Sequence, residues 1–245
     1  MGAYVSDEHL PENRCLSLEA EEGYERWAHI YDDVPNPLLA REERYLLPAL
    51  TNLSNKSVLD LACGTGRWLE RLSPWGAKFA IGVDRSTAML GVARRKSGIG
   101  ERLVESVCEH LPFSSASFDL AICSFALGHI VDLGAVAAEL ARVTRNGAEI
   151  FVSDLHPQAY ASGWRVGFRE AGTAIQIRMH SRPVDEVVQT FCSRGFECRG
   201  SHPLSLGEPE RSLFERAGKS HFFPEACEVP AVLVCHFLRR HEVPL

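Results

Sequence analysis

The chain predicts an α/β fold, a doubly wound and mostly parallel sheet with helices on both faces. Three observations carry this expectation. Apolar runs of strand length alternate with helix-period stretches from Ser57 to Leu155. One of them, Phe118–Ser124, is apolar enough to be buried on both faces. The earliest, Val58–Leu61, breaks into a turn holding Gly64 and Gly66 and then resumes as a helical pattern. A strand, a tight turn and a helix N-terminus in that order place a nucleoside-bearing cofactor across the strand end.

Element by element, two helices lead. Glu19–Tyr31 and Leu38–Leu50 are separated by Pro35-Asn36-Pro37, which forces a turn because residues before proline avoid helical backbone. Ser57–Leu61 is the first strand of the alternation and Arg67–Leu72 opens its crossover helix. Phe79–Val83, Leu103–Val107 and Phe118–Ser124 follow as strands, with a helix at Thr87–Arg95. Leu133–Val143 is helical, apolar at 133, 136, 137, 140 and 143, and Asn146-Gly147 is expected to cap it. Glu149–Leu155 is the next strand. Ala174–Met179 alternates like a strand, Pro183 starts a helix continued by Val184–Cys192, and Phe196–Leu206 and Ala231–Leu238 finish the sheet. Residues 157–172 and 207–230 read as loop-rich, the kind of segment that shapes substrate pockets near strand ends.

With 245 residues, the chain suffices for one large domain with a full core. A net charge of −6 argues against nucleic acid as the main partner, since phosphates want a basic stripe. No apolar run is long enough to span a membrane, and Met1–Leu18 has no signal-peptide core, so a cytoplasmic location is expected. The eight cysteines form no C-x-x-C pair, which speaks against structural zinc and for reduced thiols.

The turn selects among cofactors. A dinucleotide fingerprint needs a small residue where Leu69 stands, and Asp60 would face the charge of a pyrophosphate. No lysine follows the glycines, so a phosphate-binding P-loop is excluded. S-adenosylmethionine (SAM), with an ammonium and no phosphate, fits: Asp60 faces the cationic end, and Gly64 and Gly66 admit the amino-acid tail without a Cβ. Asp84 ends the second strand of the alternation, 24 residues after Asp60, where an acid holds two ribose hydroxyls.

From about Tyr24 to Pro157 the chain resembles the class I SAM-dependent methyltransferases. It is nearest in texture to the small-molecule branch of ubiquinone, menaquinone and biotin-pathway enzymes. Val58–Trp68 resembles that family's first motif, and Gly82-Val-Asp84-Arg-Ser86 with Met89-Leu90 its second. Glu109-His-Leu-Pro-Phe113, Ser117-Phe-Asp119, Glu139-Leu-Ala-Arg-Val143 and Asn146-Gly147 match later segments. The resemblance implies a Rossmann-like sheet of seven strands. It also implies a flexible segment at 1–18, then one domain at 19–245 with a helical lid at 19–51 and a substrate-binding insertion within 157–230. It implies SAM as cofactor, S-adenosyl-L-homocysteine as product, a small-molecule acceptor, and a monomer or homodimer.

By the same resemblance Gly64 and Gly66 lie along the methionine tail with Asp60 and Ala62 beside them. Asp84 holds the ribose, next to Arg85. Cys108 meets the adenine ring through its backbone N–H. Ser124 and Phe125 lie by the tail, and Tyr31 helps close the lid. Relatives carry an acid where Val107 stands, so Glu109 becomes the candidate for the adenine amino group. Where Asn146 precedes Gly147, relatives have proline.

Methyl transfer needs a general base only if the acceptor holds a proton. His129, His156 and His180 are the candidates, each near a strand end or in the insertion; each also reads as a lining or capping histidine. Asp154 and His156 would need a third ligand to make a metal site, and none is expected. Trp164, Phe168, Phe222 and Phe223 read as an aromatic acceptor pocket or as core. Arg165, Arg169, Arg178 and Arg182 read as carboxylate binders or as a solvated face. A non-catalytic SAM-fold subunit that binds a partner protein is the alternative to an enzyme, and a nucleotide-linked oxidoreductase is a weaker one.

Overall fold

The computed structural model describes residues 15–50, 52–72 and 74–240. Its frame is a seven-stranded sheet of β2 (Ser57–Leu61), β3 (Phe79–Asp84), β4 (Leu103–Glu105), β5 (Phe118–Ser124), β6 (Thr144–Leu155), β9 (Phe196–Ser205) and β10 (Pro230–Arg239). The spatial order is β4-β3-β2-β5-β6-β10-β9. Pairs among the first five are parallel, and β10 runs antiparallel to both β6 and β9. The chain steps outward from β2 in one direction and then returns to β5, so β2 and β5 flank a topological switch point. Ligands bind at the carboxyl ends of strands there.

Helices cover both faces. Those joining the strands include α3 (Arg67–Leu72), α4 (Thr87–Ala93), α5 (Leu133–Val143) and α7 (Val184–Ser193). Ser86 caps α4 by accepting from Met89 N–H at 3.2 Å, and Asp132 caps α5 by accepting from Ala135 N–H at 2.8 Å. One core packs under Trp68, Leu69 and Val234, the other under Leu59, Val136 and Phe237. Strand β2 is buried at every residue and feeds both cores, which is why its run reads as continuously apolar.

A second, three-stranded sheet stands apart from the frame. It pairs β1 (Cys15–Leu18) in parallel with β8 (Thr173–Ile177), which runs antiparallel to β7 (Gly167–Glu170). Residues 15–18 are therefore a strand, where a flexible segment is expected; 1–14 lie outside the described residues. The helix α1 (Ala20–Trp27) rests on this sheet, with Trp27 stacked on Phe168 at 5.1 Å between ring centres. The helix expected through Tyr31 ends sooner, and Ala28–Asp33 tightens into a 3₁₀ turn.

Two further expectations change. Asn146-Gly147 does not cap α5, because the helix gives way at Thr144 to extended chain. Gly147, at φ 80°, instead sits in a bulge, since Phe118 and Leu120 of β5 pair with Thr144 and Glu149 of β6. The loop-rich 157–172 and 207–230 also hold structure, namely α6 (Pro157–Ala161), β7, α8 (Glu208–Arg216) and α9 (Phe223–Ala226).

Candidate active site

A cavity of about 330 Å³ lies over the carboxyl ends of β2, β3, β4 and β5. Its floor is Ala62 and Gly64 after β2, Asp84 and Arg85 at β3, Cys108 and Glu109 after β4, and Ser124 and Phe125 at β5. Its roof is α1 and the 3₁₀ turn, through Glu21, Tyr24, Glu25 and Tyr31. An exposed ion pair at 2.6 Å, Arg85 with Glu21, reaches from floor to roof.

Asp84 is the organising acid. One of its oxygens accepts from Gly64 N–H at 2.8 Å and the other from Ser86 N–H at 2.8 Å. Burial raises its pKa, opposed by these backbone donors. A Cβ added at Gly64 would meet no protein atom within 4 Å, so the backbone there faces open space beside Asp84. A carboxylate and a bare backbone on one wall suit a ribose and an amino-acid tail. Ala62 and Phe125 hold left-handed backbones, φ 56° and 53°, at neighbouring strand ends. Such backbone costs a non-glycine residue about 1–2 kcal/mol, and it bends both chains around the cavity.

Two expected contacts are not on the cavity wall. Gly66 has φ 81°, and a Cβ there would stand 2.6 Å from Ile99 Cδ1, so this glycine makes room for packing. Asp60 is buried behind the turn, and its Oδ2 has no hydrogen-bond partner among the described residues. Burial pushes its pKa up to about 8, so it is protonated at neutral pH and offers no charge to a cationic tail. On the adenine side Val107 is exposed while Glu109 lines the cavity.

The three histidines separate. His129, in the turn after β5, lines the cavity and meets Tyr24 Oη through Nε2 at 3.0 Å. Its Nδ1 lies 3.1 Å from the Arg178 carbonyl, which only accepts. The Nδ1 therefore carries the proton, and Nε2 accepts from the Tyr24 hydroxyl. Burial lowers the His129 pKa to about 4, and burial first raises that of Tyr24, so both are neutral at pH 7. His156 is off the cavity and caps α6, its Nδ1 accepting from Gln158 N–H at 3.2 Å. His180 is exposed and also off the cavity. Of the three histidines expected to take a proton role, only His129 lines the cavity.

Several residues escape motif reading. Glu42 on α2 (Pro37–Leu50) is wholly buried, accepting from Ser124 Oγ at 2.8 Å, from Ser153 Oγ and from Arg67. An acid in the buried stripe Leu38, Glu42, Leu46 was its readable signal. Asp154, first weighed as a metal ligand, instead accepts from Gly128 N–H at 2.6 Å, and no cluster suited to a metal occurs among the described residues. Trp164, Phe168 and Phe223 are core. Arg165 stacks on Tyr160 at 4.1 Å, Arg178 pairs with Glu19 at 2.9 Å, and Arg182 binds backbone carbonyls. The eight cysteines are all free thiols.

Residues 58–147 match the model of a family described as a methyltransferase domain. Residues 58–147 therefore carry a methyltransferase domain. It is 36% identical over 132 residues to a demethylmenaquinone methyltransferase of Thermobifida fusca, covering 51% of this chain and 56% of that protein. It is 35% identical over 133 residues to a malonyl-[acyl-carrier protein] O-methyltransferase of Hamiltonella defensa, covering 54% and 50%. The chain thus spans about half the length of the curated relatives it matches. The fold is also that of a structure from Listeria monocytogenes described as a putative S-adenosylmethionine dependent methyltransferase, with a TM-score of 0.64 at 21% identity over 83% of this chain and 100% of that one. Among the described residues no helix is long and apolar enough to cross a membrane.

Proposed function

We propose that this protein transfers a methyl group from SAM to a small-molecule acceptor that meets the Tyr24–His129 pair. One observation carries the reading: the pair and the Asp84–Gly64 wall line the same cavity. SAM supplies an electrophilic methyl on a sulfonium. Asp84 accepts from the ribose hydroxyls, and the open backbone of Gly64 lies along the tail with Ser124 and Phe125. Cys108 N–H and Glu109 serve the adenine, and Tyr31 closes over it. The name of one relative, a demethylmenaquinone methyltransferase, supports a small acceptor.

The pair's chemistry follows from its protonation. Tyr24 gives its proton to His129 Nε2 in a hydrogen bond, so the free lone pairs of Tyr24 Oη accept from an acceptor O–H or N–H. With a pKa near 4, His129 is a weak base at neutral pH. The pair therefore orients the acceptor more than it ionises it, and orientation is where most of the rate is available in an in-line displacement.

Calorimetry with SAM and S-adenosyl-L-homocysteine, followed by methyl-labelled SAM with a metabolite extract and mass detection, tests this. Binding of both and a labelled product are expected. Tyr24→Phe should keep SAM affinity and slow labelling by roughly 10-fold, as the loss of one orienting hydrogen bond predicts. No binding of either compound at millimolar concentration would end the proposal.

A further inference from the structure

The turn that carries His129 has little structure of its own, and it is held from outside. Residues 178–182 run as a strap from the end of β8 to α7 and touch this turn at several points. The Arg178 carbonyl accepts from His129 Nδ1. His180 N–H donates to the Gly128 carbonyl at 2.7 Å. Arg182 donates from Nε to the Leu127 carbonyl at 3.2 Å, and from Nη2 to those of Ile130 and, at 3.2 Å, Val131. One guanidinium thus spans three carbonyls on both sides of His129. From β6, Asp154 holds Gly128 N–H.

The same strand places the partner. Gly23 of α1 lies so close to Ile177 that a Cβ there would stand 2.8 Å from its Cγ1. Tyr24 is the next residue. Strand β8 thus seats Tyr24 through Ile177 and His129 through the strap that follows. Gly128 has no room for a side chain either, since a Cβ would approach Met179 Cε at 2.6 Å.

We propose that Arg182 is a positioning residue: by tying the Leu127, Ile130 and Val131 carbonyls to the strap after β8, it fixes the tautomer and reach of His129 toward Tyr24. This rests on the reading of Tyr24–His129 as the acceptor-side pair. Arg182 is not on the cavity wall; beside the turn its guanidinium also pairs with Glu186 of α7, at 2.7 Å, and the turn is its link to the site. Lysine keeps the charge but cannot span three acceptors as a planar fork does. The groups facing His129 are Tyr24 from α1, His180 and Arg182 from the strap, and Asp154 from β6 behind Gly128.

The test is nitrogen NMR of the full-length protein labelled at histidine, with His129 assigned by its loss in His129→Gln. In the parent the ring should show one fixed tautomer, protonated at Nδ1. In Arg182→Gln it should shift toward the averaged values of a free imidazole, with Arg182→Lys between. SAM affinity by calorimetry should not change, which also reports that each variant is folded. If Arg182→Gln is unfolded, Arg182→Lys carries the test, with the intermediate shift expected. An unaltered His129 signal in folded variants overturns the positioning role. Tyr24→Phe separates the two claims: if it leaves the parent His129 signal unmoved, the pair itself is refuted, whatever Arg182 does.

Discussion

Glu42 and Arg67 form a buried ion pair that joins the second helix to the residue directly after the glycine turn. Burial works against the Arg67 charge, and Glu42 more than offsets it, leaving the guanidinium pKa raised. The hydroxyls of Ser124 and Ser153 complete the carboxylate's shell. Helix α2, the turn, β5 and β6 are thereby locked around one acid, and Ser124 of that group lines the cavity.

Breaking the pair should therefore be severe. Glu42→Gln leaves Arg67 balanced only by the more distant Glu43, at 3.6 Å, and a loss of up to about 3 kcal/mol is expected. Replacing both residues by methionine should recover most of it, because the desolvation of two charges disappears together. Urea unfolding of the single and double variants measures this. A Glu42→Gln protein as stable as the parent contradicts the network.

The two glycines of the turn should fail differently. Gly66→Ala meets Ile99 and a left-handed backbone, so about 1–3 kcal/mol of stability should go. Gly64→Ala suffers only the backbone cost, about 1–2 kcal/mol, but its methyl enters ligand space. SAM calorimetry beside urea unfolding should show affinity lost mainly at Gly64 and stability mainly at Gly66. Equal loss of affinity at both would mean that Gly66 touches the ligand after all.

Much of this was legible in the chain. The strands from Ser57 to Leu155 are continuous apolar runs because both sheet faces are covered, and Asp84 stands out as the acid that ends one of them. The small sheet was not legible: Cys15–Leu18 is four residues long, and its partner β8 lies some 155 residues away. Gly147 misled because a left-handed glycine serves a bulge as well as a helix cap. Spacing also cannot say which way a ring points. His129, His156 and His180 look alike in sequence, yet one faces Tyr24, one caps a helix and one faces solvent.

Asp84 should dominate SAM affinity. A hydrogen bond to a charged group contributes about 1.5–3 kcal/mol, so Asp84→Ala should weaken SAM by roughly 10–100-fold. The substitution also leaves Gly64 N–H without its acceptor, which loosens the wall along the tail. Calorimetric titration reads the change directly, and an affinity equal to the parent's removes Asp84 from the site.

Asp60 should make the protein less stable as pH rises. Its folded pKa is pushed up to about 8, chiefly by burial, against about 3.9 in an unfolded chain. Between those values the folded state holds a proton that the unfolded state has lost. Stability therefore falls as pH climbs from about 4 to 8 and levels off beyond. Asp154, pushed up to about 6 by burial, adds to the lower part of that range. Asp60→Asn never ionises, so it should flatten the slope up to about pH 8 and leave the variant more stable than the parent at pH 9. Urea midpoints at pH 5, 7 and 9 compare the two. Parallel pH dependence in both proteins would show that Asp60 is already ionised in the fold.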